Sequence, residues 1–142
     1  MIEFFINQKI SIMAINPTSP GIHHIGLRSM DLKKTKNFYQ NILGFPLVID
    51  MPDLLIFAGA GIYIAFKKAD PRDKKYSSFS PYEVGLDHIA MICETEEELH
   101  RFAKELSQAG VENTGVKLDE TLNKLYVAFK DPDRIAWEFY MK

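Results

Sequence analysis

Three side chains with metal-binding chemistry stand at related points of this 142-residue sequence: His24, His88 and Glu138. Two neutral imidazoles and a carboxylate, with further positions open to water or substrate, form a ligand set used by catalytic Zn²⁺, Fe²⁺, Mn²⁺ and their neighbours. A repeat singles them out. His24-Ile25-Gly26-Leu27 returns as His88-Ile89-Ala90-Met91, an offset of 64 (88 less 24), and at that offset Phe38 falls on Phe102 and Ile42 on Leu106. A strand and its following helix therefore recur in step, and the two histidines hold equivalent places.

Strand alternation assigns faces. Ile25 and Leu27 lie toward the covering helix, with His24, Gly26 and Arg28 opposite; Ile89, Met91 and Cys93 oppose His88, Ala90 and Ile92. In the last strand Ile135, Trp137, Phe139 and Met141 share one face, leaving Ala136, Glu138 and Tyr140 on the other. Burying the Glu138 carboxylate unpartnered would cost several kcal/mol or keep it protonated, and a divalent cation would compensate it. A plainer alternative makes the histidines hydrogen-bonded core residues and Glu138 a solvated edge residue.

The elements that must position these groups are legible. Asp31 can cap a helix over about 32–43, with Leu32, Thr35, Phe38, Tyr39 and Ile42 as its inward stripe and Gly44 as its stop. Thr95 and Glu98 form a capping box for a helix over about 95–109, with Leu99, Phe102, Ala103 and Leu106 inward and Gly110 at the end. β-rich runs follow each helix: Phe45–Ile49, Leu54–Phe57 and Gly61–Phe66, then Val116–Leu118, Leu125–Phe129 and Ile135–Met141. Each half reads strand, helix, strand, strand, strand. The expectation is an α+β chain of two βαβββ modules, 21–68 and 84–142, joined by a polar linker near 67–83 and preceded by an N-terminal arm over 1–20. Function should sit where the halves meet, with both imidazoles pointing into one space.

Composition narrows the classes. The chain has 17 Lys and Arg against 19 Asp and Glu, a net charge of −2 with the signs interspersed, so it lacks the basic footprint of a nucleic-acid or anionic-lipid binder. No apolar stretch approaches the roughly 20 residues of a membrane span, and the N-terminus lacks a signal-like apolar core. Its single cysteine, Cys93, lies in an apolar run as a small buried hydrophobe, which fits a reducing, cytoplasmic setting.

The run HIGLRSMDLKKTKNFYQNILGF, with GLDHIAM and FKDPDRIAWEFY, resembles the vicinal oxygen chelate superfamily, which includes glyoxalase I, extradiol dioxygenases, methylmalonyl-CoA epimerase and the fosfomycin and bleomycin resistance proteins. The resemblance extends from about Gly21 to the end and implies paired βαβββ modules around a metal-lined cleft, with His24, His88 and Glu138 as ligands of a divalent Fe, Mn, Ni or Zn ion. It implies a small-molecule substrate with vicinal oxygens, dioxygenase-like or thiol-transferase-like chemistry ahead of that of a lyase, and a homodimer. His23 is expected on the helix side. Pairing the final strands by Phe66 and Phe139 sets Ala65 opposite Glu138, so the carboxylate of the four-ligand glyoxalase I pattern is missing. Arg134 stands where the family's Asp131-Pro132-Asp133 hairpin usually has glycine. Tyr63 and Tyr140 are candidates for acid/base work, or else line an apolar pocket. The alternative reading of the whole is a metal-free drug-binding module of the bleomycin resistance type.

Overall fold

The computed structural model describes residues 14–70 and 78–142. Residues 1–13 of the expected arm and 71–77 of the expected linker lie outside the described residues. The first half comprises β1 (His24–Ser29), α1 (Leu32–Lys36) running into a π-helical segment (Asn37–Ile42), β2 (Leu47–Met51), β3 (Leu54–Gly59) and β4 (Ile62–Lys68). The second comprises β5 (Ile89–Cys93), α2 (Glu96–Gln108), β6 (Asn113–Asp119), β7 (Lys124–Lys130) and β8 (Ala136–Met141). The strands form two four-stranded sheets, β1-β4-β3-β2 and β5-β8-β7-β6, each with one parallel pair closing the βαβββ unit. The α+β architecture of two such modules matches the expectation. Register confirms the repeat: Gly26 pairs with Ala65 in the first sheet, and Ala90 pairs with Glu138 in the second.

Local chemistry starts both helices as expected, with differences of detail. The Asp31 side chain accepts from the N–H groups of Lys33 and Lys34, and Thr95 Oγ1 accepts from Glu98 N at 3.2 Å. The reciprocal half of the capping box is not made, because Arg101 takes the Glu98 carboxylate, with Nε at 2.6 Å. Beyond Lys36 the first helix widens, and Leu43 N donates to Phe38 O five residues back at 2.9 Å. The wider turn reduces the rotation per residue, so Phe38 and Tyr39 both reach the buried face while Ile42, expected inward, is 36% exposed. Gly44 and Gly110 follow their helices in the left-handed region that glycine adopts readily, both at φ +73°.

One apolar core spans the two halves. The Tyr39 ring packs on Phe66 (centroids 4.6 Å) and Phe57 (5.6 Å) of its own sheet and on Trp137 (6.0 Å) of the other. Phe38 meets Phe129 at 6.5 Å, and Phe102 of α2 meets Phe129 and Phe139 at 5.4 and 4.8 Å. Cys93 is fully buried, as its apolar setting predicts, and burial pushes its thiol pKa up. No helix among the described residues is long and apolar enough to cross a membrane.

A close approach inside the first module gives a direct packing test. A Cβ added at Gly59 would stand 2.8 Å from Cδ2 of the Phe45 ring, which itself packs against Tyr39 at 6.3 Å. Gly59→Ala is expected to destabilise the fold by about 1–3 kcal/mol in urea unfolding. Gly26→Ala, whose added Cβ meets nothing within 4 Å, should change stability by only about 0.5 kcal/mol.

Candidate metal centre

The second sheet carries two of the three candidate ligands. β8 presents Glu138 and Tyr140 on its open face, β7 presents Tyr126, and His88 immediately precedes β5. With Leu118 and Leu122 they line a hollow of about 700 Å³. His88 Nδ1 lies 2.6 Å from Asp87 Oδ1, and its Nε2 lies 3.4 Å from Glu138 Oε2. Both carboxylates only accept, so in a neutral ring the single proton goes to the shorter contact, Nδ1 with Asp87, which leaves the Nε2 lone pair facing the Glu138 oxygen. Two electron-rich atoms brought this close suit a cation between them. Glu138 has a side chain only 19% exposed, so water does little to compensate its charge.

Tyr140 donates its hydroxyl to Asp119 Oδ2 at 2.8 Å and stacks on Tyr126 with centroids 5.9 Å apart. Burial, the bond to Asp119 and the nearby Glu138 charge push the Tyr140 phenol up to about 12. The same bond, with backbone donation from Thr121, holds Asp119 below its ordinary range.

The first sheet carries the third candidate. His24 lines a hollow of about 390 Å³ with His23, Tyr63, Ile56, Ala65 and Lys67. His24 Nδ1 is 2.9 Å from His23 Nδ1, so one ring donates and the other accepts. His23 therefore stands beside His24, not on the helix side. The strand begins only at His24, so alternation does not constrain the preceding residue; the His23 carbonyl takes the Tyr63 N–H at 3.1 Å. Tyr63 is 42% exposed, its ring 5.6 Å from that of His23, and its hydroxyl has no hydrogen bond among the described residues. Ala65 holds the place equivalent to Glu138, as the sequence register predicts.

A family model for the Glyoxalase/Bleomycin resistance protein/Dioxygenase superfamily matches residues 21–139. The chain belongs to this superfamily. It is 29% identical over 128 residues to the uncharacterised protein YwkD of Bacillus subtilis, covering 84% of this chain and 94% of that one. Catechol-2,3-dioxygenase of the same organism is 33% identical over 125 residues, covering 82% of this chain but only 39% of the dioxygenase. The crystal structure of a glyoxalase family protein from Enterococcus faecalis superposes with a TM-score of 0.70 at 25% identity, covering 85% of this chain and 97% of that one.

Against that superfamily fold, the placement of the ligands within one chain is informative. The two hollows share no lining residue, and among the described residues no three His, Cys, Asp or Glu side chains stand close enough to hold an ion. One chain brings His88 to Glu138 and leaves His24 on the other sheet. The halves meet instead through their core side, where Tyr39 donates to Asp131 Oδ2 at 2.8 Å and Trp137 Nε1 donates to Tyr39 Oη at 2.9 Å. Met30 N adds a bond to Asp133 Oδ1 at 3.0 Å. In that same turn Arg134 takes the left-handed φ of +67°, and its guanidinium reaches Glu112 at 3.0 Å. Sequence reasoning missed Asp87, Asp119 and Tyr126. Asp87 was detectable as the residue directly before His88, whereas only the fold brings Asp119 and Tyr126 to Tyr140.

Proposed function

We propose that the chain is a metal-dependent enzyme acting on a small substrate with vicinal oxygens, its centre completed by two copies: His24 from one chain, His88 and Glu138 from the other. The observation that carries this reading is the His88 Nε2 atom set 3.4 Å from Glu138 Oε2, with the other ring nitrogen 2.6 Å from Asp87. A homodimer is supported by the separation of the hollows and by the apolar side chains left open beside them, Val48 and Leu118 at 51% and Leu122 at 63% exposure. The likeness to a protein named Catechol-2,3-dioxygenase supports a substrate with adjacent oxygens.

His24, His88 and Glu138 would hold Fe, Mn, Ni or Zn, and the bound ion would act as a Lewis acid on the substrate oxygens. The stacked Tyr126 and Tyr140 rings would form one wall against a substrate. Tyr140 keeps its proton at neutral pH and directs it to Asp119, so it serves as a wall and an acceptor. Tyr63, whose hydroxyl makes no hydrogen bond among the described residues, is the better placed phenol for moving a proton.

Light scattering after size exclusion, with metal analysis by mass spectrometry, tests the reading. The expected result is a dimer with about one ion per chain, and a Glu138→Ala dimer with none. A monomer, or full metal content in Glu138→Ala, overturns it. Tight bleomycin binding by metal-free wild type would favour the drug-binding module instead.

A further inference from the structure

Both candidate ligand histidines are tied in the same way, and the superfamily assignment does not require it. His88 Nδ1 meets Asp87 Oδ1 at 2.6 Å, and His24 Nδ1 meets His23 Nδ1 at 2.9 Å. In each module the partner is the residue immediately before the histidine, so the tie obeys the same offset of 64 as the ligands (87 less 23). We infer that Asp87 and His23 are positioning residues that hold His88 and His24 in the Nδ1–H tautomer, leaving each Nε2 as the nitrogen offered to an ion. The purpose assigned to this device and the His24 tautomer rest on the proposed metal centre; the His88 tautomer does not.

The physical argument is one of donors and acceptors. Which nitrogen of a neutral imidazole carries the proton is set by the bond the other nitrogen makes. Carboxylates flank both His88 nitrogens and can only accept; in the neutral ring the proton goes to the shorter contact, Nδ1 to Asp87 at 2.6 Å against 3.4 Å from Nε2 to Glu138, which turns an unprotonated Nε2 toward Glu138. In the first module the two Nδ1 atoms share a single proton; a His24 that offers Nε2 to an ion must be the donor, with His23 carrying its own proton at Nε2. The two ties differ in strength. Asp87 supplies a charge-assisted acceptor to His88, while His23 supplies a neutral one to His24. The His88 half of the centre is therefore the more firmly held.

Long-range ¹⁵N–¹H spectra of metal-free protein at pH 8 read the tautomers directly. His88 and His24 are expected as Nδ1–H. Asp87→Ala should move His88 to Nε2–H and leave His24 unchanged, His23→Ala should do the reverse, and Asp87→Asn, whose carboxamide oxygen still accepts, should restore His88. Asp87 has a side chain 74% exposed, so its replacement leaves the core intact. Metal affinity, read by competition with a chromogenic chelator, should fall about 10- to 100-fold in Asp87→Ala at unchanged stoichiometry and recover in Asp87→Asn. His88 found as Nε2–H in the wild type, or unmoved in Asp87→Ala, overturns the inference whether or not metal binds. Tautomers that respond as stated in a wild type that takes up no metal would support this device and overturn the metal centre.

Discussion

A heterodimer of one His24→Ala chain and one Glu138→Ala chain is expected to hold one ion per two chains, although each variant alone holds none. The arithmetic follows from where the sheets place the ligands. His88 and Glu138 share one hollow, while His24 lines another with no residue in common. If each centre takes His24 from one copy and the pair from the other, the mixed dimer has one centre with both lesions and one with all three ligands. A centre built within single chains would leave both sites broken. Differently tagged chains, co-expressed and purified through both tags, isolate the heterodimer for metal analysis. No metal in that species would rule out a centre shared in this way.

Tyr39→Phe is expected to destabilise the protein by about 3 kcal/mol at pH 7.5, and by less at pH 5. Tyr39 is fully buried, and its hydroxyl both donates to Asp131 and accepts from Trp137, so the change strands two polar groups in the core that joins the modules. Asp131 is 5% exposed. Burial raises its pKa from 3.8 to about 6, against the opposing pull of the bonds from Tyr39 and Ile135. The folded form therefore binds this proton more tightly than the unfolded chain does. The stability contributed by that proton is fully present below about 3.8, declines through the window between, and is lost above about 6. Removing the Tyr39 donor raises the Asp131 pKa further, so the loss must be greater where Asp131 is ionised than where it is protonated. Urea unfolding of both proteins at the two pH values, at one protein concentration, reads the difference. An equal loss at both would show that the Asp131 charge does not depend on Tyr39.

Much of the architecture was legible because it follows local rules that repeat. Alternation separated Ile25 and Leu27 from His24, and Trp137 from Glu138, since in a strand with one buried face the period of two leaves no freedom. Asp31 and Thr95 marked the helix starts through donors that need an acceptor wherever the helix lies. The register that sets Ala65 against Glu138 followed from matching the two modules. The widened turn after Lys36 was not legible, because aromatic packing of Phe38 and Tyr39 against both sheets outweighs the regular helical spacing. His23 was misplaced because alternation was extended past the end of a strand.

The sequence by itself determined the duplicated βαβββ plan, the superfamily resemblance and the candidate set of His24, His88 and Glu138. It did so because periodicity and offset are properties of a linear chain. Tertiary structure alone decided which of those groups meet. Pairing of β5 with β8 brings Ala90, and His88 two residues before it, beside Glu138, whereas the Asp131–Tyr39–Trp137 linkage joins the modules on the core side and leaves His24 on a separate face. No local rule fixes how two amphipathic modules dock, because that choice rests on burying groups that are roughly 100 residues apart in the chain, too far for any periodicity to report.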